Sequence, residues 1–495
     1  MMRRWGAARG TAIALVGLMV SSASAQDAKT IIGNASKAMG VDNLNSITYY
    51  GSGANFGLGQ SNNANGQWPR TNVNDYVRSI DFTQPVSRAT AVTVAAPVTG
   101  GPATPGAFQQ NITKENTAWA QQLEIWVTPW GFLKGAAANN ATAKSQTIGG
   151  RRFQVVTWNA PVKSPGGMPY KVVGYINPAN MVERVETWLE NPIFGDMLVE
   201  SIYTEYREAG AGLKYPAFIV QKRGGMPTFE AQILGARANP ADIQQLVTIP
   251  PPPAGRGGGP GGPGGPGAAP QGPTSEKLAD GVFRINGAYN ALAVEFADHI
   301  FLYEPGPQNE ARSLAIIAEA KKVIPNKPIR YGVISHHHFD HTSGLPGAVS
   351  EGITIVTHQV NVPFFERAMS APRTLAPDAM SKSGKKLKIE GITGDKRVFQ
   401  DATRTVEVHL VKGLPHADGN LIVYLPKERI LAYADMFNLP TAAQPVPNPP
   451  VVGTMVFLDN IERLKLDPER IMSVHSLNPD RLTSVADIRA SLGRK

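Results

Sequence analysis

The hydrophobic rhythm of this chain changes about halfway along. In the first half, residues 28–39 read as a helix, and most of the chain after it alternates apolar with polar positions. Four runs, 122–128, 152–158, 170–176 and 197–204, are rich in β-branched and aromatic residues. They predict strands of an antiparallel sheet with one buried face. The second half reads differently. Short strands at 281–286, 291–296 and 299–304 lead into a helix over about 309–323, and a strand at 329–334 comes next. Strand–helix–strand order predicts α/β layers. The expected architecture is a mostly antiparallel β domain followed by an α/β domain.

Composition adds a boundary between them. The chain has 495 residues with an apolar fraction of 42%, enough for two cores. Its 50 glycines and 40 prolines are concentrated in residues 250–273, a stretch with almost no side chains to bury. The expected layout is a signal peptide at 1–25, a β-rich domain at 26–249, a Pro/Gly-rich linker at 250–274 and a second domain at 275–495. The linker reads as a mobile tether between independently folded parts. A strict glycine period is not sustained, which excludes collagen.

The N-terminus carries Arg3 and Arg4, a short apolar stretch at 11–20 and the small-residue site Ala23-Ser24-Ala25. That is an export pattern, so a periplasmic or secreted protein is expected. No other segment has the length and apolarity of a transmembrane helix. The formal charge of 48 − 39 = +9 is not gathered into a stripe, and no nucleic-acid module accompanies it. The densest basic run, 382–388, reads as a solvated surface loop. A small-molecule partner is expected, not a nucleic acid. Cysteine is absent, which excludes disulfides, a thiolate nucleophile and zinc–thiolate sites.

Any metal must therefore be held by nitrogen and oxygen, and one segment offers both. Ser335-His336-His337-His338-Phe339-Asp340-His341 places five potential ligands directly after a predicted buried strand. A tight loop at a strand end can turn several of them toward one point, and the donor set suits zinc, with iron or manganese as alternatives. The segment strongly resembles the metallo-β-lactamase superfamily, whose His-x-His-x-Asp-His signature is matched by His336, His338, Asp340 and His341. The resemblance spans roughly residues 275–481. Later family positions find His416 in Gly413-Leu-Pro-His-Ala-Asp-Gly-Asn420 before the predicted strand 421–425, Asp435 ending 430–435, and His475 ending 471–475.

The resemblance implies an αββα four-layer sandwich holding two Zn2+. His336, His338 and His416 would bind one metal, Asp340, His341 and His475 the other, and Asp435 would bridge them. Paired metals would generate a bridging hydroxide to attack a carbonyl, phosphorus or sulfur centre, with Asp340 also orienting the nucleophile and shuttling its proton. His337 is expected to point away from the metals, and His299, His358 and His409 to be core or surface residues. Glu304 stands where the family more commonly has Asp, as a support for the ligand loop. Phe364, Phe365 and the proline-rich stretch 437–451 flank the site as candidate pocket walls or as ordinary packing.

The fold does not name a substrate. By resemblance, an Asp at 435 favours ester, lactone, thioester or phosphodiester hydrolysis over lactam hydrolysis. The short span between His341 and His416 leaves no room for the inserted domain of nucleic-acid-processing members. The expected function is an exported binuclear hydrolase of a small organic ester, lactone or related bond. The rivals are a β-lactamase, a periplasmic carrier or sensor with a non-catalytic metal domain, and oxidative chemistry on a single iron. The carrier reading draws on residues 182–206, VERVETWLENPIFGDMLVESIYTEY, and the later YPAFIV, which resemble the half-open β-barrel of periplasmic lipoprotein-carrier proteins.

Overall fold

Alternation in the first half builds one open antiparallel sheet of eleven strands. The computed structural model describes residues 16–95, 104–250, 272–440 and 446–494. From strand Ser46–Phe56, fourth from one edge, the sheet runs through Arg70–Asp81 and Val86–Ala95 to the edge strand Thr104–Ile112. The chain then crosses to the opposite edge at Thr142–Ile148 and meanders back to Met226–Ala238, which closes on Ser46–Phe56. Strand Gly195–Glu208 shows the driving pattern, with buried and half-buried positions alternating along most of its length.

Three helices cover the apolar face. Val16–Met39 contributes Ile32, Ala35 and Met39, and Pro129–Ala138 contributes Trp130, Phe132 and Leu133 to the same core as Tyr49, Trp158 and Val185. Thr128 caps the latter helix by accepting from the Gly131 amide at 3.0 Å, with Pro129 at the first turn. The third helix corrects an expectation. The run 122–128 predicts a strand, but Trp119–Trp126 is helical. Leu123, Ile125 and Val127 alternate as a strand would, while Trp119 and Leu123 stand one helical turn apart, and burial of that pair prevails. The other three predicted strands of this half lie within observed ones.

The second half is layered. A seven-stranded sheet begins at Ser275–Ala279 and runs in chain order to Lys388–Ile392, parallel from Ile300–Tyr303 onward. A five-stranded sheet runs from Lys396–Gln400 to Arg470–Ser473. Between the sheets, Val294, Phe301, Val333 and Val356 of one pack with Val408, Val423, Ala432 and Met472 of the other. The outer face of the first sheet is covered by Glu310–Val323, Leu345–Glu351 and Val362–Ser370, and that of the second by Val452–Arg463 and Val485–Ser491. Strand Leu421–Leu425 is buried at all positions because Leu421, Val423 and Leu425 meet the other sheet while Ile422 and Tyr424 meet a helix. The order of layers is helix, sheet, sheet, helix.

The two domains pack against each other. Ala64 and Ile193 of the first belong to the core beneath the seven-stranded sheet of the second. Asp196 accepts from the Thr374 and Leu375 amides, and buried Arg373 donates to the Pro192 and Ile193 carbonyls. The two domains are thus docked, and residues 251–271 of the expected tether lie outside the described residues. Residues 1–15 of the export segment also lie outside them, and the helix expected from residue 28 begins at Val16. No helix among the described residues is long and apolar enough to cross a membrane.

Candidate metal centre

The predicted ligands sit in turns at the ends of neighbouring strands and converge on one cleft. Strand Ile329–Val333 delivers His336 and His338, and a single helical turn, Phe339–Thr342, holds Asp340 and His341. His416 sits in the turn before Leu421–Leu425, Asp435 lies just past Ile430–Tyr433, and His475 just past Arg470–Ser473. Short strands ending beside one another are what let a sequence-dispersed set converge.

All seven side chains meet, in two groups whose ligand atoms lie within 4.8 Å of one another: His336, His338 and His416, and Asp340, His341, Asp435 and His475. His336 Nε2 and His416 Nε2 are 3.3 Å apart, and His341 Nε2 and His475 Nε2 are 3.2 Å apart. Asp435 stands between the groups. Its Oδ2 lies 2.8 Å from His341 Nε2, 3.5 Å from His336 Nε2 and 3.8 Å from His416 Nε2, while its Oδ1 is 2.8 Å from His475 Nε2.

Two buried atoms test whether these residues fit a cation. His338 Nδ1 and Asp435 Oδ2 have no hydrogen-bond partner, which is costly for buried polar atoms unless something else satisfies them. Both belong to the converging groups, and imidazole with carboxylate is a zinc donor set. The residues fit a metal.

Electrostatics divide along the same line. Burial holds the His336 and His416 imidazoles below their usual range and pushes His338 down to about 4, so these three stay neutral. Burial works against the charged form of Asp340 and Asp435, but the charge of His341, with hydrogen bonds to Asp340 and the His475 contact to Asp435 Oδ1, outweighs it and keeps both carboxylates ionised. Burial likewise opposes protonation of His341, yet the Asp435 and Glu304 carboxylates hold its pKa well above the usual histidine value.

A supporting layer fixes the ligands. Glu304, fully buried, accepts from the Ser335 amide at 2.6 Å and contacts His341 Nδ1 at 2.7 Å, the supporting position anticipated for it. Glu304 and Asp435 both adopt φ of 62°, a region unfavourable for side-chain-bearing residues, so packing must hold both in place. Tyr289 donates to Asp340 Oδ2 at 3.1 Å and lies against the His475 ring, centroids 4.4 Å apart. Gln60 Nε2 donates to Asp340 Oδ1 at 2.9 Å from the other domain. Sequence reasoning missed Tyr289 and Gln60, because neither stands in a motif.

The remaining candidates lie elsewhere. His337 turns from both groups to the Ser61 carbonyl at 2.8 Å. His299 contacts Asp298 and stacks on Phe296, His409 contacts Glu407, and the His358 ring accepts from the Val360 amide. Phe364 and Phe365 are buried in the helix-side core, so they act as packing. Phe437 is buried beneath the helix of the second sheet, and 441–445 of the adjoining stretch lie outside the described residues. The basic residues Lys382, Lys385 and Lys386 are exposed, as a solvated run would be.

Residues 285–473 match the family model of the metallo-beta-lactamase superfamily. The C-terminal domain has the metallo-β-lactamase fold. A curated relative, the 2,4-dinitroanisole O-demethylase subunit alpha of Nocardioides sp. (strain JS1661), is 27% identical over 169 residues, which are 33% of this chain. The match covers 44% of that relative, so less than half of its length is represented. Among solved structures, the metallo-β-lactamase of Hirschia baltica is 16% identical, covering 45% of this chain and 97% of its own, with a TM-score of 0.34. The FIM-1 enzyme of Pseudomonas aeruginosa, in its mono-zinc form, is 16% identical over 45% of this chain and 93% of its own, with a TM-score of 0.32. The region that the family model matches lies in the second of the two domains, and these structural matches cover less than half of the chain.

Proposed function

We propose that this chain is an exported hydrolase with a binuclear, dizinc centre that cleaves an ester, lactone or related bond of a small organic substrate. The observation that carries the reading is Asp435 Oδ2, buried, without a hydrogen-bond partner, and within 4 Å of nitrogens from both ligand groups. A carboxylate in that position suits a bridge. Bound there, zinc would supply Lewis acidity, making water a nucleophile near neutral pH and polarising the electrophile.

The protein's own residues do the rest. His336, His338 and His416 offer three neutral nitrogens in a buried pocket, while Asp340, Asp435, His341 and His475 form the second group. Asp340 is more exposed than the three-histidine group, and Tyr289 and Gln60 hold both of its oxygens. It is placed to orient the attacking water and take its proton. Glu304 keeps His341 directed at the centre from behind.

A second reading, hydrolytic cleavage of an activated aryl methyl ether, draws on the relative that is named a dinitroanisole O-demethylase. One panel separates the possibilities: the zinc-loaded chain assayed on p-nitrophenyl esters, a long-chain lactone, nitrocefin and 2,4-dinitroanisole. Turnover of the esters or lactone is the expected result. Turnover of dinitroanisole alone moves the ether reading forward, nitrocefin alone the β-lactamase reading, and none of the four contradicts a hydrolase of this kind. Fractionation of cells making the full chain tests export, with the mature protein expected outside the cytoplasm.

A further inference from the structure

We infer that the N-terminal domain is a working part of the metal centre: its 57–69 loop supplies Gln60 and the Ser61 carbonyl as positioning groups for Asp340 and His338. This rests on the binuclear reading above.

The loop is held at both ends by the sheet, where Phe56 pairs with Arg70 and the Gly57 amide donates to the Pro69 carbonyl at 3.0 Å. Its tip enters the metallo-β-lactamase domain. The Gly59 carbonyl accepts from the Phe339 amide at 3.3 Å, and Gly59, at φ 76°, lies so close to the Phe339 ring that a Cβ would sit 2.2 Å from it. Only glycine permits that approach. Farther along, the Asn62 carbonyl accepts from the Asp418 amide at 2.7 Å and the Asn62 side chain donates to the Pro415 carbonyl at 2.7 Å. The loop thus grips the segments on either side of His416 as well as the histidine motif.

Between those anchors are two contacts to candidate ligands. The Ser61 carbonyl accepts from His338 Nε2 at 2.9 Å and from His337 Nε2 at 2.8 Å. A carbonyl can only accept, so it fixes the His338 proton on Nε2 and leaves the Nδ1 lone pair free, and Nδ1 is the atom that lacks a partner. Gln60 acts on the second group. Asp340 Oδ2 faces His341 Nε2 at 3.3 Å and His475 Nε2 at 3.6 Å, which leaves Oδ1 to the Gln60 amide. A neutral donor orients the carboxylate without competing as a cation would. Ser61 is nearly fully buried, so the loop also closes this side of the centre to water.

The test is zinc binding by the full-length chain, read by chelator competition and by the visible spectrum of the cobalt-substituted protein. Gln60→Met keeps the side-chain length and removes the donor. It should weaken one of the two zinc-binding steps about 10- to 100-fold, leave the other unchanged, and alter the cobalt spectrum. Asn63→Ala, which removes a contact to Asp418 at the same interface, should leave both steps as they are. Gln60→Met with both steps unchanged, or with both weakened equally, overturns the inference while the binuclear reading stands. A wild-type chain that binds fewer than two zinc ions overturns the binuclear reading and the inference with it.

Discussion

The two ligand groups stand side by side and are built on opposite principles. His336, His338 and His416 are imidazoles alone, buried and kept neutral. Asp340, His341, Asp435 and His475 mix carboxylates with imidazoles, and Asp340 and His475 keep 29% and 30% of their side chains exposed. One group would hold a cation by enclosure among neutral nitrogens, and the other by charge while remaining open to substrate and protons. On the proposed reading the two groups would have separate tasks: the histidine group would anchor a metal, and the carboxylate group would work at the mouth of the cleft.

The most severe way to break that division is to remove an anchor. His338→Ala should lose one metal per chain and lower kcat/KM by about 10^4-fold, toward the uncatalysed rate. Equal activity with one metal fewer would show that the anchor is dispensable. Next comes the support of the open group. Glu304→Gln removes the charge behind His341 and should weaken metal binding about 10- to 100-fold, measured by chelator competition. Because Glu304 also holds the Ser335 amide, the thermal midpoint of the metal-free variant shows how much of the loss is structural. Tyr289→Phe is milder. It removes one hydrogen bond to Asp340, about 1 kcal/mol, and should lower kcat several-fold with metal content unchanged.

Protonation separates His338 from His341 by sign. In the metal-free chain burial pushes His338 down to about 4 and His337 to about 3, against about 6.5 when unfolded. Between those values the unfolded chain binds protons that the folded chain does not. Stability should therefore fall as pH drops from about 6.5 toward 4, by up to about 1.4 kcal/mol per pH unit for each histidine. His341 is raised instead, so its contribution is complete below about 6.5 and is lost as pH climbs through its folded value. Urea unfolding of the chelator-treated protein from about pH 4 to well above 6.5 should show both limbs, and His338→Asn should lessen only the acid one.

How much of this could be read from the residues depends on how far each group reaches along the chain. The ligand positions were legible because they stand in a recognisable motif or next to a strand whose apolar pattern is plain, as Ile329–Val333 shows before His336. Glu304 was legible for the same reason, at the end of Ile300–Tyr303. Trp119–Trp126 misled because its apolar positions satisfy two periods, and packing on the sheet decides between them. Gln60 carried no signal at all. It lies 280 residues before Asp340, in a loop whose composition is that of any polar turn, and only the docking of the two domains gives it a role. That docking was hidden as well, since Ala64 and Ile193 look like members of their own domain and are buried in the other.

The most direct measurement is metal content by elemental analysis of the purified full-length protein beside its Asp435→Ala variant. Two zinc ions per chain in the wild type, falling toward one in the variant, is the predicted result. One ion per chain in both proteins, a single iron per chain, or no metal with every ligand intact, would contradict the bridged binuclear centre.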